Sequence, residues 1–99
     1  MKHVFAEPFE FEGKTYEEID IALESLKGSD MSAVKKQFAA QGEFSPMPAT
    51  DSDYCMLIAA RAAKMPIEFF NEMPAPEYYA ISQAVGAFLI SSVLKSKTL

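Results

Sequence analysis

Residues 51–64, Asp-Ser-Asp-Tyr-Cys-Met-Leu-Ile-Ala-Ala-Arg-Ala-Ala-Lys, decide the fold of this 99-residue chain. The two acids at the start of the stretch supply capping oxygens and negative charge at the positive end of a helix. The residues after them are apolar on nearly every side of a helix, which is typical of a buried position. We therefore predict a central helix over 52–64, with Leu57 and Ile58 almost fully buried.

Downstream of this helix, prolines divide the chain into two further helices. Pro66 breaks the central helix and can open a short helix over 66–73 as its first residue. Pro74-Ala75-Pro76 breaks the chain again, and we predict a final helix over 77–94.

Upstream of the central helix, the sequence predicts one helix and one loop. Ser29 or Asp30 can cap a helix over 30–41, in which apolar residues fall at helical spacing. Gly42 is the expected end of that helix. Residues 43–50 contain two prolines and are predicted to form a loop.

The N-terminal sequence has the two-residue period of β-structure. Phe9-Glu10-Phe11-Glu12 alternates apolar and acidic residues, Gly13-Lys14 is a turn signal, and another alternating run follows. A lone hairpin is only marginally stable, so we expect the hairpin over 8–21 to pack on the helices. Its buried face is predicted to consist of Phe9, Phe11, Ile19 and Ile21.

Together these elements predict an α+β fold that is mainly α. We expect a single domain over 1–99, with an N-terminal β-hairpin (8–21) packed on a bundle of about four helices (29–94) and a short tail (95–99). A chain of this size buries about 65% of its extended surface, which supports a modest core.

The predicted final helix is apolar on two sides. Residues 78–94 contain no charged residue. One stripe of this helix comprises Tyr78, Ile81, Val85, Phe88 and Leu89. A second stripe comprises Tyr79, Ile90, Val93 and Leu94. Because a domain this small cannot readily bury both stripes, we take the second as the candidate partner-binding surface, for a partner chain or for a second copy in a homo-oligomer.

Two other interpretations of this helix remain open. It could be a core helix that its own domain covers completely. It could also be a membrane span, but its 17 uncharged residues reach only about 26 Å, whereas a span needs about 20 residues. We therefore do not expect a membrane partner.

The charge distribution disfavours nucleic acid as a partner. Fourteen acids and nine bases give a net charge of −5, and residues 1–24 alone hold seven of the acids and two of the bases. Proteins that track phosphates need clustered lysine and arginine, which this sequence lacks. An acidic N-terminal quarter instead suits solubility or a basic protein partner.

Residues that could perform catalysis are few and isolated. His3 is the only histidine and is expected to be a solvated residue in a tail or an edge strand. Cys55 is the only cysteine and suits a small packing residue in a buried helix. Asp51 and Asp53 are better explained by helix capping than by a cation site. We expect no enzyme activity, no cofactor and no bound metal.

The order of these features resembles the small phage tail assembly chaperones. That family has an N-terminal hairpin like residues 8–16, a helix start like Gly28-Ser29-Asp30, and an alanine-rich helix like the one after Asp51. A proline break such as Met65-Pro66 follows. The last helix bears a Val-x-x-Phe-Leu pattern, which residues 85–89 match.

The resemblance covers about residues 7–94 and implies a function without catalysis. Such chaperones bind the long, helical, aggregation-prone tape measure protein while the tail tube polymerises around it. Many have a longer, frameshifted form that recruits tail tube subunits. The resemblance therefore implies a protein of the host cell cytoplasm that is absent from the mature virion, with the tape measure and tail tube proteins as partners.

Two other functions remain open from the residues alone. The chain could be a small cytoplasmic adaptor or regulator that binds a protein partner through the same helix. It could also be a self-associating structural protein in which the second apolar stripe is covered by another copy.

Overall fold

The computed structural model describes residues 1–42 and 51–96 of the chain, with side chains as far as Ser91. The predicted loop over 43–50 lies outside the described residues. The predicted α+β architecture is confirmed, since an N-terminal hairpin packs on four α-helices. The hairpin consists of β1 (Lys2–Phe11) and β2 (Lys14–Asp20), and a short 3-10 helix (Leu23–Ser25) follows it. The α-helices are α1 (Gly28–Ala40), α2 (Ser52–Ala63), α3 (Ile67–Asn71) and α4 (Ala75–Ser96).

Helix α2 lies at the centre of the fold, as predicted. The Asp51 carboxylate caps its start by accepting a 3.1 Å hydrogen bond from the Tyr54 N–H. Every residue from 54 to 60 is buried, including Leu57 and Ile58. Helices α1, α3 and α4 and the 3-10 helix all contact it. These neighbours surround α2, which explains why a helix with so few polar positions is stable here.

Helix α1 begins earlier than predicted because Asp30 caps it from within the first turn rather than from the position before the helix. Lys27 is the residue before the helix, and the Asp30 carboxylate accepts a 2.8 Å hydrogen bond from the Lys27 N–H. The prediction that Ser29 or Asp30 precedes the helix is therefore wrong by two or three residues. The Asp30 carboxylate also accepts a 2.7 Å hydrogen bond from Arg61 Nε, which joins α1 to α2.

A glycine marks the end of α1 and a proline marks the start of α3. Gly42, at a φ of 80°, follows the end of α1 as predicted. Pro66, however, precedes α3 as its cap rather than forming its first residue. Its ψ of 152° is extended, so the first helical residue is Ile67.

The hairpin is longer at its N-terminal end than predicted. Strand β1 begins at Lys2, and the turn is formed by Glu12 and Gly13, both at positive φ. The prediction missed the first part of β1 because its register is interrupted. Between the pairs Val4↔Glu18 and Phe9↔Tyr16, β1 contains three more residues than β2, and this bulge hides the alternation in the sequence.

The hairpin docks on the helices through an aromatic cluster around Phe69 of α3. Phe11, Ile19 and Ile21 are buried and Phe9 is partly buried, which confirms the predicted packing face. Phe5 is also buried, and the prediction missed it together with the start of β1. Four rings of the hairpin lie with their centroids 5.0–6.4 Å from that of Phe69: Phe5, Phe9, Phe11 and Tyr16.

Helix α4 packs along α2 and touches β1 near its own start. It begins two residues before the predicted helix and extends to Ser96, so Lys95 belongs to the helix rather than to the predicted tail. Among the described residues, no helix is both long and apolar enough to cross a membrane.

A candidate partner-binding surface on helix α4

Helix α4 has a buried side and an exposed side. Ile81, Ser82 and Val85 are buried against the rest of the fold. Tyr78, Phe88 and Leu89 lie at the boundary and are partly buried. The first predicted stripe of the helix is therefore the one that packs on the body of the protein.

The exposed side of α4 forms a stripe along about three helical turns. We call it the outer stripe and define it by Tyr79, Gln83, Ala87 and Ile90, all of which are exposed. Tyr79 is 63% exposed and Ile90 is 47% exposed. In the described part of the chain, the only other large hydrophobic side chain so exposed is Val4. Two residues of the predicted partner surface thus lie together on an exposed face.

The other two residues of that prediction cannot be placed by their side chains. Val93 and Leu94 belong to α4, but their side chains lie outside the described part of the structure. Their helical spacing from Ile90 is the original basis for including them. Their participation stays a prediction.

A groove of about 270 Å³ runs beside the outer stripe, between α2 and α4. Ser52 and Cys55 of α2 line one wall, and Ser82, Gly86 and Ala87 of α4 line the other. These side chains are small, so another backbone could approach α4 closely here. The Ser82 hydroxyl donates a 2.9 Å hydrogen bond to the Tyr79 carbonyl, so this buried polar group is already satisfied within the helix.

Cys55 lies in this groove as a neutral thiol. Its side chain is buried, and burial together with the nearby Asp51 charge raises its pKa to about 11. A thiol with so high a pKa is almost entirely protonated at neutral pH, whereas nucleophilic cysteines have lowered pKa values. The groove therefore offers packing surface rather than a reactive group.

The start of α4 is fixed by the Glu77 carboxylate, which binds strand β1. One oxygen accepts a 2.8 Å hydrogen bond from the Ala6 N–H, and the other lies 2.8 Å from His3 Nε2. The Ala6 N–H, followed by His3, lowers the pKa of Glu77. His3 does lie in a strand, but the expectation that it is solvated is wrong, since its side chain is only 15% exposed.

A second polar contact joins α4 to the start of α2. The Tyr78 hydroxyl donates a 2.6 Å hydrogen bond to the Asp53 carboxylate. Burial raises the pKa of Tyr78, and the Asp53 charge raises it further. Asp51 therefore caps α2, whereas Asp53 holds α4 in place rather than capping. Among the described residues, no three histidine, cysteine, aspartate or glutamate side chains are grouped so that they could hold a metal ion.

The sequence prediction missed the polar and small members of this surface. Gln83 and Ala87 follow Tyr79 at intervals of four residues, so helical spacing alone could have identified them as part of the stripe. Ser52 could not have been identified this way, because it joins the groove only through the packing of α2 against α4.

Comparison with known families gives one match over most of the chain. The family model described as phage tail assembly chaperone proteins, E, or 41 or 14, matches residues 2–90. Neither the curated proteins nor the solved structures contain a significant match. The matched range includes the hairpin, all of the aromatic cluster and the outer stripe of α4.

Proposed function

The chain belongs to the phage tail assembly chaperone family, and from this premise we propose that it binds the tape measure protein through the outer stripe of α4. Membership of this family supports a role in assembling the tail and binding to tail proteins rather than catalysis. Two points are our proposal: that the client is the tape measure protein, and that the outer stripe is the surface that contacts it.

The observation that carries the proposal is the exposed, uncharged stripe itself. From Tyr79 to Ile90 it extends about 16 Å along the helix. Tyr79 and Ile90 supply apolar contact at its two ends, and the groove beside it accepts close approach. A helix that lays an apolar face along such a surface would bury both, which is a common mode of helix recognition.

The chemistry of a tape measure protein fits this surface. A long helical client with apolar stripes would aggregate if those stripes met water. Contacts to an uncharged stripe carry little orientational restriction, so one chaperone surface can cover many positions along such a client. The same proposal places the protein in the host cytoplasm during assembly and outside the finished particle, with tail tube subunits as further partners.

Self-association is part of the proposal, because the outer stripe can also be covered by another copy of the chain. A homo-oligomer that dissociates when client is added would protect the stripe before use. Sedimentation of the purified protein at several concentrations measures this directly. If the protein is a monomer at every concentration, the self-association part of the proposal is wrong, and client binding is tested separately.

The test of client binding uses two glutamates on the outer stripe. The double variant Tyr79→Glu and Ile90→Glu should stop the protein from keeping a co-expressed tape measure protein soluble, since a carboxylate in a dry interface loses its hydration. Val4→Glu is the control for one added carboxylate, because Val4 is an exposed hydrophobic residue outside the outer stripe. It is compared with the single variants Tyr79→Glu and Ile90→Glu, each of which adds the same single charge.

The outcome is interpretable only if the double variant folds, which circular dichroism and the melting midpoint establish. If it folds and still keeps the client soluble, the outer stripe is not the contact. If the wild-type protein has no effect on tape measure solubility and binds another protein instead, the adaptor interpretation replaces this one.

A further inference from the structure

A second groove lies at the opposite end of the exposed part of α4, where the bulge of β1 meets the start of that helix. It has a volume of about 260 Å³ and is lined by residues 6–9 of β1 together with Pro74, Pro76 and Glu77. The two grooves share no lining residue, although the outer stripe begins at Tyr79, two residues after Glu77. Ile90, at the far end of the stripe, is about 20 Å from Glu77 along the helix.

The groove is fixed in shape by polar contacts and by prolines. Glu77 accepts the Ala6 N–H at 2.8 Å and so holds the bulge against the start of α4. Pro8, Pro74 and Pro76 restrict the backbone on both sides. Phe9 is held by its ring contacts with Phe5 and Phe69. A ligand would thus meet a site formed in advance rather than one that it must order.

The lining offers apolar surface and hydrogen-bond acceptors but few donors. The three prolines have no N–H, and the Ala6 N–H is already bound to Glu77. Glu7 also lines the groove, is exposed, and forms no ion pair with another residue in the described part of the chain. A complementary ligand must therefore combine a hydrogen-bond donor and a positive charge with an apolar stem.

The charges around the groove point to the same kind of ligand. Residues 1–24 carry seven acids and two lysines. Both lysines are already engaged, since Lys2 forms a 3.3 Å ion pair with Glu18 and Lys14 lies over the Tyr16 ring. This region therefore keeps an excess of negative charge that its own lysines do not neutralise, and this excess favours a basic partner.

We propose that this groove binds an arginine side chain in a basic segment of a partner protein. The three-carbon stem of the arginine would lie on the prolines and on Phe9, and its guanidinium group would reach the Glu7 carboxylate. Arginine is favoured over lysine because its planar guanidinium can donate two parallel hydrogen bonds to one carboxylate and is less strongly hydrated than an ammonium group. The acidic residues of the surrounding hairpin attract a basic segment of the partner and so steer it toward the groove.

The test is an NMR titration of the full-length, isotope-labelled protein with a short peptide, acetyl-Leu-Arg-Leu-amide. Its twin carries citrulline, which has the shape of arginine without its charge. The arginine peptide should bind saturably in the millimolar range and shift the amide signals of Ala6, Glu7, Phe9 and Glu77. The citrulline peptide should bind about fivefold more weakly, which is the contribution expected of one exposed ion pair.

Two single substitutions distinguish a groove from general attraction. Glu7→Gln should weaken the arginine peptide about fivefold. Glu24→Gln removes the same charge from an exposed position in the 3-10 helix and should leave its affinity nearly unchanged. Ile90→Glu should also leave it unchanged, which keeps this result independent of client binding.

Three results would overturn the proposal. The first is the absence of saturable shifts with the arginine peptide. The second is a set of shifts that map outside the groove. The third is equal weakening by the Glu7 and Glu24 substitutions, which would show that only the net charge of the hairpin attracts the peptide. Equal melting midpoints for the variants and the wild type confirm that all of them are folded.

Discussion

Helices α2 and α4 have similar compositions and opposite surroundings. Both are rich in alanine and other apolar residues, and both contain few charged residues. Helix α2 is enclosed by α1, α3, α4 and the 3-10 helix, so its residues 54–60 are all buried. Helix α4 has neighbours on one side only, so Tyr79 and Ile90 remain exposed. Similar apolar sequences thus become buried core or exposed surface according to how many neighbours surround them.

The largest expected effect tests this difference with one substitution in each helix. Leu57→Ala in α2 should lower the free energy of unfolding by about 2–5 kcal/mol, because it leaves a cavity in the centre of the core. Ile90→Ala in α4 should change it by less than about 0.5 kcal/mol, as expected of an exposed position. Urea titrations of both variants measure the two values. Equal losses would show that the two helices are not surrounded differently.

The next effect concerns the polar contact that fixes the start of α4. Glu77→Gln should lower the free energy of unfolding by about 1–2 kcal/mol, since two charge-assisted hydrogen bonds are weakened. The pKa of Glu77 is below its usual 4.5 in the folded protein. This contribution should therefore be complete above about pH 4.5 and be lost as the pH falls below that value.

Unfolding measured across a series of pH values checks the expectation for Glu77. The wild type and Glu77→Gln should differ near pH 7, and the difference should shrink as the solution becomes more acidic. A constant difference at every pH would mean that the charge of Glu77 contributes nothing to holding α4 against β1.

The smallest effect concerns the contact that joins α4 directly to α2. Tyr78→Phe removes the hydrogen bond to Asp53 and should cost about 1 kcal/mol or less, because the acceptor is exposed. The raised pKa of Tyr78 means that this contribution is present below about pH 10 and is lost as the pH rises beyond it. Thermal melts of the two proteins at neutral and at alkaline pH compare them directly. A stability difference between the two proteins that grows at alkaline pH would contradict a stabilising role for this hydrogen bond.

The elements that could be predicted are those that short sequence patterns determine. The position of α2 follows from its capping acid and its nearly continuous apolar surface, and both are visible within fourteen residues. The hairpin after residue 8 follows from the alternation of Phe9-Glu10-Phe11-Glu12 and from the glycine of its turn. The first half of β1 does not, because the bulge over 6–8 contains an alanine, a glutamate and a proline, which break the pattern.

The contacts that could not be predicted join residues that are distant in the sequence. His3 and Glu77 are separated by 74 residues, and neither lies in a pattern that points to the other. The groove beside the outer stripe depends on how α4 lies against α2, which is a property of packing. The stripe itself was partly predictable, since it is a matter of helical spacing within one element.

The position of Cys55 gives the molecule a built-in chemical reporter. With a pKa of about 11, only about one thiol in ten thousand is ionised at pH 7, and the sulfur is shielded between α2 and α4. Because Cys55 is buried at the edge of the groove, we expect an alkylating reagent to modify it slowly in the folded protein and faster when the packing of α4 on α2 opens. The rate of labelling thus reports how often the packing between α2 and α4 opens in the native protein. A client that stabilises this packing would slow the labelling.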